Sequence, residues 1–271
     1  GSRKEVPIKY TVRADIPVMQ TQSDMERIIK VAEVFLDIDV KISFSLSKSV
    51  IVSHPLFDSQ YMMVPKSFDL PSLNIDNVHL ADSINDSWIF DILESPAALK
   101  LGKEIKKKHL HECKEPAEVI WMISIGYRFE FLKTILRLLS EKDFAEVFRI
   151  TWTSCNITNK TSVFTKKELT DLFSKCVPEY LMSEEELEAF RNFPDELTVY
   201  RGVNQLSQKN VRAFSWTLSP EVAERFANRF QTDDRIIYRA NINKKDVFAY
   251  FAGGEAEIIV NPSKLKKVTA L

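Results

Sequence analysis

The chain has 271 residues, of which 45% are hydrophobic and 28% charged, and its formal net charge is -1. This composition predicts a globular protein with a substantial core and excludes a disordered chain. The near balance of 37 basic and 38 acidic residues argues against a uniformly cationic surface for nucleic acids or membranes, but leaves a local cationic groove open.

Cysteine, histidine and hydropathy patterns exclude other classes of protein. Cys113, Cys155 and Cys176 are scattered without a Cys-x-x-Cys pair, so we expect reduced, buried thiols rather than disulfides or a zinc site. The four histidines lack the HExxH spacing, and we expect no metal. The most apolar stretch, residues 119–139, contains four charged residues. It predicts a buried amphipathic helix rather than a membrane span.

The first 112 residues give few clear signals. A capping-box pattern from Ser23 to Glu26 predicts a helix that ends near Leu36. Residues 41–52 alternate between apolar and polar side chains, which indicates a strand. Residues 55–86 are polar and contain prolines, so we expect an irregular connection there. Ser95-Pro96 predicts a helix start, and the following helix should end in the basic residues 106–108.

The middle of the chain predicts further helices. Glu115-Pro116 should open a long helix to Leu139, and residues 144–151 continue a helical pattern. Two more capping boxes predict helices on either side of Pro178, one starting at Thr165 and the other at Ser183.

From residue 194 onwards the pattern changes to strands. One helix is expected among them, over residues 221–230 after Ser219-Pro220. The expected strands are residues 197–200, 214–217, 235–242, 247–250, 257–260 and 266–271. The sequence therefore predicts an α+β fold, with helices up to about residue 193 and a sheet near the C-terminus.

Two carboxylates stand where a glycine pair meets an apolar strand. Glu255 and Glu257 follow Gly253-Gly254 and precede three β-branched residues. Because side chains alternate along a strand, we expect both acids on the same side of the sheet. Three of the six glycines are Gly202, Gly253 and Gly254, and glycine is favoured where the backbone bends or approaches a ligand closely. These residues predict a site in the last 75 residues or so.

Three segments in this region resemble a known signature. Tyr200-Arg201-Gly202, Phe214-Ser215-Trp216-Thr217 and Glu255-Ala256-Glu257 are similar to the Arg…Ser-x-Ser/Thr…Glu-x-Glu pattern of toxin-type mono-ADP-ribosyltransferases. The resemblance covers roughly residues 164–271. Trp216 departs from the usual Ser-Thr-Ser. Residues 178–181, 199–203 and 215–218 are also similar to the PEYL…VYRGV…SWTL pattern of phage-like bacterial proteins. The resemblance implies a split β-sandwich and NAD as the substrate.

The resemblance implies a role for each NAD-binding residue. Arg201 would hold the pyrophosphate, although taken alone it would fit a surface turn better. The backbone of Gly202 would hold the nicotinamide amide, and Ser215 and Thr217 would orient the ribose and Glu257. Phe226 lies in the expected helix register, and Arg229 lies where a phosphate–nicotinamide loop would begin.

The two acids have different implied roles. Glu257 would hydrogen-bond a ribose hydroxyl and stabilise the positive charge that develops as nicotinamide leaves. Glu255 would position or deprotonate the acceptor. Tyr250 and Phe251 would lie in the loop that recognises the acceptor, although a core role is equally consistent for one of them.

The implied activity is transfer of ADP-ribose from NAD to a macromolecular acceptor, with protein arginine favoured by Glu-x-Glu. Alternatives are modification of RNA or DNA bases by a toxin–antitoxin or phage-defence effector, an NAD glycohydrolase, and an inactive binding module.

Residues 1–112 would recognise a target, a partner, or an antitoxin or immunity protein. Residues 113–271 would form the transferase domain, with a helical lead-in (113–193) and a catalytic β core (194–271). We expect a cytoplasmic protein of bacterial or phage origin, with delivery into another cell left open.

Overall fold

The computed structural model describes residues 22–155, 162–204, 211–229 and 233–271. The chain divides into two compact units, Gly1–Val163 and Phe164–Leu271. The described residues contain nine α-helices, and all of their paired strands are antiparallel, which is an α+β arrangement. None of these helices is both long enough and apolar enough to cross a membrane.

Five helices form the core of the first unit. They are α1 (Met25–Leu36), α2 (Pro96–Glu112), α3 (Pro116–Met122), α4 (Arg128–Ile135) and α5 (Glu141–Ser154). Helix α1 packs against α2, α3 and α4, and α3 packs against α5. Phe35 of α1 meets Phe131 of α4 edge to face, with ring centroids 5.2 Å apart, and both rings are fully buried.

Helix α1 begins one residue later than the sequence suggests. Its N-cap is Asp24, whose carboxylate accepts the Arg27 N–H at 3.3 Å. Ser23 instead donates its hydroxyl to Asp143 at 2.6 Å, which joins the start of α1 to the first turn of α5.

The strands of the first unit form two small sheets. β1 (Lys41–Phe44) and β2 (Val50–Ser53) make a hairpin that reverses near Lys48, which has a φ of 61°. β3 (Tyr61–Pro65), β4 (Ala81–Asp82) and β5 (Ser87–Asp91) form a three-stranded sheet in the order β3-β5-β4. The expected single strand over residues 41–52 is therefore a hairpin. Residues 55–86, expected to form an irregular connection, contain the strands β3 and β4.

The long helix expected from Glu115 to Leu139 is interrupted. Ile123 has an extended backbone, its carbonyl accepts from Arg128 Nε at 2.9 Å, and the Ser124 N–H bonds to the Pro55 carbonyl at 2.7 Å. These contacts replace helical hydrogen bonds, so the segment forms α3, a 3₁₀ turn and α4. A local apolar pattern cannot predict a break that depends on a carbonyl more than 60 residues away.

The second unit begins with three helices and continues into a six-stranded antiparallel sheet. The helices are α6 (Lys166–Lys175), α7 (Pro178–Leu181) and α8 (Glu184–Arg191). The strands are β6 (Glu196–Val203), β7 (Ser215–Thr217), β8 (Ile236–Asn243), β9 (Val247–Phe251), β10 (Glu257–Val260) and β11 (Lys266–Ala270), in the order β11-β8-β6-β7-β10-β9. α9 (Pro220–Ala227) lies between β7 and β8 in the chain. The expected end of this helix at Phe230 lies outside the described residues.

The sheet carries a buried apolar cluster on one face, formed by residues of five of the strands and by Leu265. Its buried members are Leu197, Val199, Trp216, Ala240, Ile242, Val247, Ile258, Val260 and Leu265. Helix α9 packs against β6, and an added Cβ at Gly202 would meet the backbone of this helix. Side chains alternate between the two faces of a strand, so Gly202 points to the face of β6 opposite that of Leu197 and Val199. Helix α9 therefore covers the face opposite the cluster.

The division between the units differs from the expected boundary at residue 112. Helices α3, α4 and α5, which the sequence placed in a lead-in to the second domain, pack within the first unit. The second unit starts at Phe164, two residues before α6.

Candidate functional site

Three neighbouring strands bring the predicted site residues together. β7 lies between β6 and β10 in the sheet. Thr217 on β7 is directly opposite Tyr200 of β6 and directly opposite Glu257 of β10. The segments that carry Arg201, Ser215 and Glu257, far apart in the chain, therefore meet at one end of the three strands.

Ser215 and Glu257 form the central contact. Ser215 lies opposite Ile259, so Glu257 is its diagonal neighbour on the same face of the sheet. The Ser215 hydroxyl donates to Oε1 of Glu257 at 2.6 Å. A short hydrogen bond to a carboxylate is strong and fixes its orientation. The serine hydroxyl thus fixes the orientation of the Glu257 carboxylate.

Thr217 has a different role from the one expected. Its Oγ1 donates to the Glu255 carbonyl at 2.7 Å and accepts the Ser219 N–H at 3.2 Å. The threonine therefore holds the backbone of the Glu-x-Glu segment and the start of α9. The side chain of Glu257 is oriented by Ser215.

Arg201 is buried, with 5% of its surface exposed. Its Nη1 donates to the Ser215 carbonyl at 2.6 Å. In the described part of the chain, β6 and β7 pair at Tyr200 and Thr217. The Arg201 side chain therefore connects the two strands just beyond this pair. Burial lowers the pKa of Arg201 to about 10, and the charge of Glu257 partly opposes that shift. The guanidinium remains positively charged at neutral pH.

Gly202 is required by packing. A Cβ at this position would lie 1.8 Å from the Ala223 carbonyl oxygen and 2.7 Å from the Ala227 nitrogen of α9. Glycine lets the helix approach the strand that carries Arg201. This close approach accounts for the residue without a ligand.

Glu255 and Glu257 do not share a face, contrary to the expected alternation. Strand β10 begins at Glu257, and Ala256 before it has a φ of 43°, in the left-handed region. This turn breaks the period-two pattern. Glu257 is half-buried in the sheet, whereas Glu255 is exposed on the preceding loop. Gly253 and Gly254 have no positive φ and have open space around them, so the unusual backbone falls on Ala256 instead.

The loop of residues 252–256, here called the acid loop, is held by side chains that the sequence did not single out for a site. Glu186 of α8 accepts the Ala252 N–H at 2.9 Å through Oε1. Arg225 of α9 donates from Nη2 to the Gly254 carbonyl at 3.2 Å. The capping box that contains Glu186 is visible in the sequence, but its contact with Ala252, 66 residues away, is not.

Tyr250 and Phe251 lie in strand β9 rather than in the acid loop. The Tyr250 ring packs against Phe193 with centroids 5.2 Å apart, and Phe251 is 4% exposed. Both residues therefore contribute to the sheet core in this structure. Their predicted role in stacking on an acceptor has no support from their positions.

The two remaining predicted residues lie at the end of α9. Phe226 is half-buried and Arg229 is exposed just beyond the helix. The structure thus brings together Arg201, Ser215, Thr217 and the Glu-x-Glu segment, with Gly202 supporting them.

A lysine lies within electrostatic reach of Arg201. Lys166, the first residue of α6, donates from Nζ to the Arg212 carbonyl at 2.7 Å. Partial burial and the charge of Arg201 lower the pKa of Lys166. Its ammonium is therefore a second cation whose charge interacts with that of Arg201.

The histidines and cysteines do not form a metal site in the described parts of the chain, which contain no group of three or more His, Cys, Asp or Glu residues placed to hold an ion. The thiols of Cys113, Cys155 and Cys176 are free, and each is buried or half-buried. Burial raises the pKa of Cys176 well above its usual range, so this thiol is protonated and a poor nucleophile.

Comparison of the chain with protein-family models, with curated proteins and with solved structures found no match.

Proposed function

We propose that the second unit is a toxin-type mono-ADP-ribosyltransferase with the split β-sandwich fold of that family, using NAD as its substrate. The observation that carries the proposal is the arrangement of Arg201, Ser215 and Glu257. A serine hydroxyl fixes the carboxylate at 2.6 Å, and a buried arginine bonds to the same serine's carbonyl at 2.6 Å. A carboxylate held in one orientation, whose charge interacts with a buried arginine, suits a reaction that must stabilise transient positive charge at a fixed position.

The proposed reaction breaks the bond between nicotinamide and C1′ of the ribose. Nicotinamide leaves with the bonding electron pair, and the sugar passes through an oxocarbenium-like transition state. Glu257 accepts a hydrogen bond from a ribose hydroxyl, and its negative charge stabilises that state more than the ground state. Ser215 keeps the carboxylate in one rotamer, so no reorganisation is needed as charge develops.

Glu255 is the proposed acceptor-side residue. It is exposed on the acid loop, whereas Glu257 lies in the sheet. The acceptor atom forms the new bond to C1′, and Glu255 takes the proton that this atom loses. A protonated guanidinium is a poor nucleophile, so a neighbouring carboxylate favours an arginine acceptor. An exocyclic amine of a nucleic-acid base would need the same help, and it remains the alternative acceptor.

The first unit is proposed to recognise a target, or an antitoxin or immunity protein. It lies outside the resemblance and presents exposed apolar side chains on its β1–β2 hairpin, including Phe44 at 69% and Leu46 at 107% exposure. Exposed apolar patches of this kind are typical of interaction surfaces.

The decisive experiment consists of two assays. In the first the protein is incubated with NAD alone, and in the second it is incubated with labelled NAD in a cell lysate. Release of nicotinamide that Glu257→Gln abolishes supports the proposed chemistry. Label that is retained on polypeptide, or lost after nuclease treatment, distinguishes protein from nucleic acid as the acceptor. Rapid nicotinamide release without label transfer indicates a glycohydrolase, and no NAD binding by calorimetry indicates an inactive binding module.

A further inference from the structure

Glu186 joins a helix start to the acid loop. The residue is 5% exposed, and both of its carboxylate oxygens accept backbone N–H groups. Oε2 accepts from Ser183 at 2.9 Å, which completes the capping box of α8, and Oε1 accepts from Ala252 at 2.9 Å. One buried carboxylate therefore satisfies an N–H at the helix terminus and an N–H of the acid loop.

The acid loop depends on such polar contacts because little of it is packed. Residues 252–255 are exposed, and an added Cβ at Gly253 or Gly254 would meet nothing within 4 Å. Ala252 directly follows the last residue of β9, and Glu255 comes three residues later. The hydrogen bond to Glu186 thus fixes the end of the loop at which the chain leaves β9. Thr217 and Arg225 bind carbonyls further along the loop.

We propose that Glu186 is a positioning residue: it holds the acid loop at Ala252 and thereby sets where the Glu255 carboxylate meets the acceptor. The catalytic part of this proposal rests on the proposed function above. Glu257 has its own support, since it lies in β10 and is held by Ser215. Loss of the Glu186 contact should therefore impair transfer to the acceptor much more than cleavage of NAD.

The test uses Glu186→Gln in the full chain, with Glu168→Gln as the matched control. Gln has an NH₂ donor in place of one carboxylate oxygen, so it cannot accept the two N–H groups that Oε1 and Oε2 bind separately. Glu168 completes the capping box of α6 through Oε2, which accepts the Thr165 N–H at 2.7 Å. Gln at position 168 can still accept this one N–H through its amide oxygen, so the control removes the same charge from a capping box without removing its hydrogen bond. Glu186→Gln must lose one of its two hydrogen bonds and should therefore melt at a lower temperature than Glu168→Gln.

Two readouts decide the outcome. Hydrogen exchange of the amides of residues 252–256 should become faster in Glu186→Gln and stay unchanged in Glu168→Gln. Transfer of label from NAD to lysate macromolecules should fall by about tenfold or more in Glu186→Gln, because small misplacements of a catalytic group are costly. Nicotinamide release without acceptor, and the KM for NAD, should stay within about twofold of wild type.

Other outcomes overturn the proposal. Unchanged loop exchange in both Glu186→Gln and Glu186→Ala, of which the second has no side-chain acceptor, would show that the residue is only a helix cap. Equal losses of NAD cleavage and of transfer would show a general effect on the fold. If the wild-type protein neither binds NAD nor releases nicotinamide, the proposed function fails and the catalytic role of Glu186 fails with it. The exchange experiment would still decide separately whether Glu186 holds the loop.

Discussion

The Ser215 hydroxyl donates a 2.6 Å hydrogen bond to Oε1 of Glu257, although the two residues are 42 positions apart in the chain. The register of β7 against β10 makes them diagonal neighbours on one face. Arg201, in the neighbouring strand β6, donates a hydrogen bond to the backbone carbonyl of the same serine. Ser215 therefore connects the cation and the acid of the candidate site, through its carbonyl and its side chain respectively.

Ser215→Ala should lower the rate of nicotinamide release by about tenfold with little effect on the melting temperature. The substitution frees the Glu257 side chain to adopt other rotamers, and an acid that must reorganise stabilises the transition state less. Arg201 keeps its partner, because it bonds to the serine backbone. A suitable control is Ser174→Ala, since Ser174 donates to the Thr170 carbonyl on the exposed surface of α6. Equal rates for Ser215→Ala and wild type would exclude an orienting role for this hydroxyl.

Glu257→Gln should abolish both NAD cleavage and transfer, with a loss of about 10²- to 10³-fold or more. Glutamine keeps nearly the same shape and can still accept the Ser215 hydroxyl, so the change removes mainly the negative charge. The measurement is nicotinamide release at saturating NAD, together with NAD affinity by calorimetry. A variant that binds NAD but does not cleave it would assign the charge to the chemical step. Full activity would remove Glu257 from the mechanism.

Glu255→Gln should lose transfer while it retains NAD hydrolysis. The basis is the break at Ala256, which places Glu255 outside the strand that holds Glu257. Loss of the Glu255 carboxylate leaves the contact between Ser215 and Glu257 in place. Transfer is measured as label retained on lysate macromolecules, and hydrolysis as nicotinamide release in buffer. Normal transfer by this variant would show that the acceptor-side assignment is wrong.

Much of the second unit could be predicted from local patterns. The capping boxes that open α6 and α8 form with both of their hydrogen bonds, and β10 has the predicted bounds. These features depend on residues that are close in the sequence. The prediction that Arg201, Ser215 and Glu257 converge came from motif order, because nothing local in the sequence specifies which strands become neighbours.

The predictions that failed depend on contacts between distant residues. The alternation rule placed Glu255 beside Glu257, but the tight turn at Ala256 leaves Glu255 outside the strand, which begins at Glu257, so the rule does not apply. Helix α3 ends early because Arg128 and Pro55 supply other partners for its last backbone groups. Tyr250 and Phe251 were assigned to an acceptor loop by the family resemblance, whereas both lie in β9, which continues to Phe251.

Gly202→Ala should destabilise the second unit, whereas Gly253→Ala should not. The added methyl at residue 202 would lie 1.8 Å from the Ala223 carbonyl oxygen, so helix α9 must move away from β6. Overpacking of this kind costs about 1–3 kcal/mol or more. At Gly253 the Cβ meets nothing within 4 Å and φ is not positive, so the change should stay within about 0.5 kcal/mol. Urea unfolding followed by circular dichroism compares the two. Equal stabilities would contradict the close approach of α9.

Acid should destabilise the first unit through His54. This side chain is 1% exposed, and burial lowers its pKa from 6.5 to about 4, with the charges of Lys103 and Lys106 adding to the shift. Nδ1 accepts the Leu56 N–H at 2.9 Å, while Nε2 faces the Ile38 carbonyl at 2.9 Å. The neutral ring with its proton on Nε2 satisfies both contacts. A second proton, on Nδ1, would point at the Leu56 N–H and remove the acceptor of this hydrogen bond.

The sign of this effect follows from the lowered pKa. Between pH 6.5 and 4 the unfolded chain binds a proton at His54 that the folded chain does not, so the free energy of unfolding falls as the pH falls through this window. The shift corresponds to about 3 kcal/mol of stability, which is fully present above pH 6.5 and lost by about pH 4.

His54→Asn keeps an acceptor for the Leu56 N–H but cannot titrate. It should be less stable than wild type at pH 7, because it loses the Nε2 contact, yet its stability should depend less on pH between 6.5 and 4.5. Urea unfolding of both proteins across this range gives the comparison. Parallel pH profiles would show that His54 is not the group responsible, because the remaining titratable groups are common to both chains.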